Sequence, residues 1–183
     1  SEVEDVLRRL RELIEELRER SERSNEESKR LADELEKRSE ESLRRLAELL
    51  RKLEEDLRRL EDKDTVDKIV EDVKRKLDKI IKDDHDTARE MEKRLEKINE
   101  ENKREAERVL REAKRLIDEL RKDNPEMREV LTTIAKIVTD LERELRKSNE
   151  ENKKLIDELR KRLEDSNKRV KEIVKRLEEE VRR

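Results

Sequence analysis

The sequence predicts an all-α fold, an antiparallel up-down-up bundle of three long, coiled-coil-like helices. Three observations carry that expectation. Apolar residues recur at three- and four-residue steps along three long stretches. Glycine and aromatic residues are absent. Helix-stopping signals gather at two places, the second of which holds the single proline, Pro125.

The first stripe runs through Val3, Leu7, Leu10, Ile14, Leu17, Leu31, Leu35, Leu46, Leu49, Leu53, Leu57 and Leu60. Ser1 with Glu4 has the form of a capping box, which starts this helix at the beginning of the chain. It ends at Asp62-Lys63-Asp64-Thr65, where Asp64 or Thr65 is expected to cap the next helix and Asp67 favours its positive end. The second stripe is Val66, Ile69, Val73, Leu77, Ile80, Ala88, Met91, Leu95, Ile98, Ala106, Val109, Ala113, Leu116 and Leu120. At Asp123-Asn124-Pro125 the expected N-cap is Asn124, with Pro125 at the first helical position, where its missing N–H is harmless. The third stripe is Val130, Ile134, Ile137, Leu141, Leu145, Leu155, Leu159, Leu163, Val170, Ile173, Leu177 and Val181. The expected helices are therefore about 2–61, 65–122 and 125–183, each roughly 90 Å long at 1.5 Å per residue. Equal lengths joined by tight turns predict antiparallel neighbours in one elongated domain spanning the chain.

Composition limits what such a chain can be. Of its 183 residues, 58% are charged and 30% hydrophobic. That hydrophobic share suits a narrow seam on each helix and does not build a thick globular core. The 52 basic and 55 acidic residues are interspersed and the apolar ones periodic, so helix prevails over disorder. A net charge of −3 without a basic stripe gives no nucleic-acid footprint. No apolar run reaches transmembrane or signal-peptide length, so the chain is expected to be soluble, with no membrane partner and no targeting segment. Ser1 in place of an initiating Met suggests a processed terminus. Without cysteine there are no disulfides, thiol nucleophiles or thiolate metal ligands.

Small polar residues interrupt the seams. One pattern occurs in each helix: Ser24-Asn25-Glu26-Glu27-Ser28-Lys29, Ile98-Asn99-Glu100-Glu101-Asn102-Lys103 and Ser148-Asn149-Glu150-Glu151-Asn152-Lys153. Folding the helices back about the two turns brings these copies to one height. The first expected polar layer is therefore Ser24, Asn25, Ser28, Asn99, Asn102, Ser148, Asn149 and Asn152, with Asn102 serving Asn25 or Asn149. Ser39, Ser42, Asp84, His85, Thr87, Ser166 and Asn167 coincide in the same way and form the second. Ser and Asn in a seam forfeit the roughly 25 cal/mol per Å² that apolar burial supplies. They are favourable there only when they bond one another, and what they then supply is register, because a slipped helix strands them in hydrocarbon. The plainer reading is that they face solvent at helix edges.

Other candidate chemistry is thinner. Asp83-Asp84-His85-Asp86 on a helix lacks ligands at the i+3 or i+4 spacing a metal needs, so no metal is expected and His85 is read as a network or edge residue. Asp84-His85-Asp86-Thr87 also resembles the first turn, which makes a helix break the structural alternative; the stripe stays in phase from Leu77 through Met91 and argues for continuity. Serine has no His/Asp partner set and no carboxylate pair sits in a cleft, so neither an enzyme nor a cofactor is expected. Met91 and Met127 are seam filler. The apolar arc around Val130, Leu131, Ile134, Ile137 and Val138 is wider than a seam, which reads either as a broader core at the bundle end or as a docking face for a partner helix.

The aliphatic seams, the Glu/Lys/Arg-saturated faces, the Asn124-Pro125 turn, the absent aromatics and the matched Ser/Asn layers together resemble de novo designed helical bundles with buried hydrogen-bond networks. Natural spectrin-like repeats share the topology but carry aromatics and are shorter. The resemblance implies a protein without a natural biochemical role: a static scaffold, half of a designed heterodimer, or a cage-and-latch switch whose terminal helix is displaced by another. No small-molecule partner is expected, and a partner helix or self-association is the alternative to a closed monomer.

Overall fold

The structure, a computed structural model, describes residues 2–59 and 62–182. Among them are three long helices, α1 (Glu2–Arg59), α2 (Lys63–Asp123) and α3 (Arg128–Arg182), the last preceded by a single 3-10 turn at Pro125–Met127. The fold is a three-helix antiparallel bundle without strands among the described residues. The expected cap at Ser1 and the seam side chains of Leu60 and Val181 lie outside the described residues, as does Glu61 at the end of the first expected helix.

The first turn differs from expectation in which residue caps the helix. Asp62, not Asp64 or Thr65, caps α2: its carboxylate accepts the Asp64 N–H at 3.2 Å and the Thr65 hydroxyl at 3.1 Å. Its carbonyl accepts the Val66 N–H, and the helix starts at Lys63, two residues earlier than expected. An aspartate just ahead of the first helical residue satisfies the donors nearest the positive helix end. At the second turn Asn124 stands, as expected, at the N-cap position with Pro125 next, ahead of the 3-10 turn that leads into α3, but its side chain makes no cap bond there. Its backbone and side-chain nitrogens both donate to the Leu120 carbonyl, at 2.8 and 3.3 Å, so it closes the carbonyl end of α2. Pro125 then opens the 3-10 turn, and α3 begins at Arg128. No described residue has a positive φ, in keeping with a chain that has no glycine to end its helices.

The chain divides into two compact units, each containing a stretch of all three helices. The first takes α1 up to Arg30 together with Arg94–Lys154; the second takes Leu31–Lys93 and α3 from Leu155. In the first unit Arg9 pairs with Glu112, Glu16 with Arg108 and Arg20 with Glu105, so rising numbers on α1 meet falling numbers on α2. Lys74 with Glu178, Asp78 with Lys171 and Glu92 with Arg160 show the same antiparallel relation of α2 and α3 in the second. The core of the first unit is built on Leu10, Leu13 and Leu17, Val109, Ala113 and Ile117, and Leu131, Val138 and Leu145. That of the second is built on Leu46 and Leu53, Val66, Val70, Val73 and Leu77, and Val170 and Val174.

On α3 the core takes a different line from the stripe read in the sequence. At four adjacent apolar pairs, Val130/Leu131, Ile137/Val138, Leu155/Ile156 and Ile173/Val174, the second member is at most 3% exposed and the first 40–55%. Consecutive residues of a helix diverge by about 100°, so only one of each pair can point inward. The expected docking face is divided by this: Leu131 and Val138 are core, Ile134 packs beside it, and Val130 and Ile137 remain outside. α2 is continuous through Asp84, so the alternative of a break there is set aside.

Candidate functional site

The first polar level lies in the first unit. Ser24, Ser28 and Asn102 are buried there, and the Asn102 amide donates to the Ser24 hydroxyl at 2.5 Å. Asn25 and Ser148 are half-buried, and the Ser148 hydroxyl donates to Asn25 Oδ1. Asn99 donates its amide to the backbone carbonyl of Asn149 at 3.4 Å. The level is thus three separate bonds joining three helix pairs, α1 to α2, α1 to α3 and α2 to α3. Asn102 serves Ser24, not Asn25 or Asn149. The reason is angular: Ser24 sits on the flank of α1 turned to α2, while Asn25, about 100° further round, faces α3. Ser28 Oγ, Asn99 Oδ1, Asn149 Oδ1 and Asn152 Nδ2 are buried atoms without a hydrogen-bond partner among the described residues.

The second polar level lies in the second unit and centres on Asp84. One carboxylate oxygen, Oδ2, accepts the Ser42 hydroxyl at 2.5 Å and the Asn167 amide at 3.3 Å, so a single α2 residue ties α1 to α3. Ser42 and Asn167 are buried and Asp84 is half-buried. Burial is the largest influence on Asp84 and pushes its carboxyl above the usual aspartate range; the two hydrogen bonds oppose the rise without cancelling it. Thr87 is half-buried and accepts a long bond from Arg38 at the bundle edge. Ser39 and Ser166 line a cleft between α1 and α3. His85, expected in this level or at its edge, is exposed: the helical turn that aims Asp84 inward aims its neighbour out.

No group of three or more His, Cys, Asp or Glu side chains suited to a metal ion occurs among the described residues. No described helix is long and apolar enough to cross a membrane. At the surface, Arg9 holds Glu112 in a two-point contact at 2.9 and 3.2 Å. That hydrogen bonding raises the Arg9 pKa and lowers that of Glu112. The charged faces thus lace helices to one another, which the sequence does not reveal, as well as pairing along a single helix, as in Glu34 with Arg38.

No family model and no curated protein matches this sequence. Among solved structures the chain is similar to one titled a computationally designed three helix bundle, at 21% identity, with 98% of this chain and 80% of that one covered and a TM-score of 0.45.

Proposed function

We propose that the chain is a designed structural scaffold whose two polar levels set the register and pairing of its helices. The observation that supports this best is the placement of Ser24, Ser42, Asn102 and Asn167. All are buried, and each spends a hydrogen bond on a different helix. A buried polar group without a partner is penalised by about 1–3 kcal/mol. Sliding α2 past its neighbours by a turn would separate Asn102 from Ser24 and Asp84 from both its donors, and sliding α1 would break the Ser24 and Ser42 bonds, so the native register is favoured over its neighbours by those penalties. The test replaces Ser24, Ser28 and Asn102 together by aliphatic residues. The variant is expected to keep or gain stability while losing uniqueness, seen as several amide NMR resonances per residue where the parent gives one. A single sharp set in the variant would remove the register role.

A second reading, in which the bundle recruits or exchanges a partner helix, is favoured by a different observation. Val130 and Ile137 in the first unit, and Leu155 and Ile173 in the second, are large apolar residues left outside the core on α3. At about 100° per residue Val130 and Ile137 lie within about 20° of each other in the first unit, and Leu155 and Ile173 share one direction in the second.

A further inference from the structure

In the second unit the outer apolar line of α3, Leu155 and Ile173, is accompanied on α1 by Leu43; all three are more than 40% exposed. Between α1 and α3 a cleft of about 340 Å³ runs past Leu43, Ser39 and Ser166. Leu43 and Leu159 line this cleft, and Leu155 and Ile173 stand one helical turn before Leu159 and one turn after Arg169, which also lines it. Isolated exposed leucines need no explanation, but an apolar line that continues a cleft between two helices is the kind of surface that an amphipathic helix covers.

The rims of the cleft carry opposite signs. Glu36 and Glu40 stand on the α1 side; Arg162 and Arg169 stand on the α3 side, with Asp165 between them leaving that side net positive. None of these four rim charges has an ion-pair partner among the described residues. Glu36 and Glu40 are moreover like charges at i,i+4, an arrangement that slightly destabilises a helix left to itself. Elsewhere in the same unit, charges at a helix boundary are matched across it, as in Lys74 with Glu178 and Arg160 with Glu92.

We propose that this cleft docks one amphipathic α-helix of a partner chain. Its apolar seam would cover Leu43, Leu155 and Ile173, with a hydroxyl or amide side chain at the level of Ser39 and Ser166. A Lys/Arg flank lies against α1 and a Glu/Asp flank against α3. The proposal rests on the second reading above, that the bundle recruits a helix, and adds where it docks and by what chemistry. The charge split also fixes direction: a helix with one basic and one acidic flank satisfies both rims only one way round, because reversing it exchanges the flanks. A second copy of the chain is the poorer occupant, since a cleft between two helices accepts a single ridge.

The test titrates the full chain with three synthetic helical peptides of roughly four heptads that share one Leu/Ile seam with a central Ser. One carries Lys on one flank and Glu on the other, one Lys on both, one Glu on both. The split peptide is expected to bind at least tenfold tighter than either uniform peptide at low salt, an advantage that shrinks at about 1 M salt. Glu36→Lys with Glu40→Lys should shift the preference to the all-Glu peptide. Leu43→Glu with Leu155→Glu should abolish binding with helical content unchanged. Equal binding of the three peptides overturns the charge assignment and leaves the recruiting reading standing. No binding by any peptide overturns both. A mass of twice 22.4 kDa for the chain alone, restored to the single value by Leu43→Glu, assigns the cleft to a second copy and overturns the proposal.

Discussion

Ser42 and Asp84 are joined across α1 and α2 by a 2.5 Å hydrogen bond from hydroxyl to carboxylate, and burial holds that carboxyl above its ordinary pKa. The fold therefore prefers Asp84 protonated more than the unfolded chain does. Native Asp84 binds its proton to higher pH, so its contribution to stability is fully present below the unfolded value of 3.8 and is lost as pH rises through the higher folded value. Asp84→Asn, which keeps an acceptor for Ser42, is expected to be more stable than the parent at pH 7 by about 0.5 kcal/mol, a small figure because Asp84 is only half-buried and water screens its charge. The difference should vanish below pH 3.8. Urea melts of both proteins from pH 3 to 7 check this.

The adjacent pairs on α3 give a sharper contrast. Leu131→Ala, at a position 0% exposed, is expected to cost about 2–5 kcal/mol. Its neighbour Val130→Ala, at 55%, should change stability by about 0.5 kcal/mol or less. Ile156→Ala and Leu155→Ala should repeat the contrast. Denaturant midpoints of the four variants decide it.

Asp62→Ala removes the acceptor for both the Asp64 N–H and the Thr65 hydroxyl and is expected to destabilise by about 1 kcal/mol. Asp64→Ala removes only an exposed first-turn charge and should cost about 0.3 kcal/mol. Thermal melts in low salt separate the two.

These contrasts mark where the sequence was legible. The three helices, their antiparallel order and the pairing of Ser42 with Asp84 follow from apolar periodicity and from folding the numbering back about two turns. That arithmetic gives height along the axis and nothing about rotation around it, so it leaves Asn102 between Asn25 and Asn149 where the bond goes to Ser24, and it does not decide between network and edge for His85, which is exposed and lines a cleft with Asp84 and Asn167. Where two apolar residues adjoin, as at Ile137 and Val138, periodicity allows either one to face inward. Packing against the other helices makes the choice. At the first turn Asp62, Asp64 and Thr65 are all competent caps, and the one that stands just ahead of the first helical residue takes the role, because its carboxylate meets an unpaired N–H of the first turn.

Ser24 and Asn102 offer the most direct test of the claim that polar levels hold the register. In a double-mutant cycle, Asn102→Leu alone should cost about 1–3 kcal/mol by leaving the Ser24 hydroxyl buried without its donor. Adding Ser24→Ala should recover at least about 1 kcal/mol of that loss, a coupling of the size expected for residues in one buried bond. Strictly additive effects, or a neutral Asn102→Leu, would contradict the account.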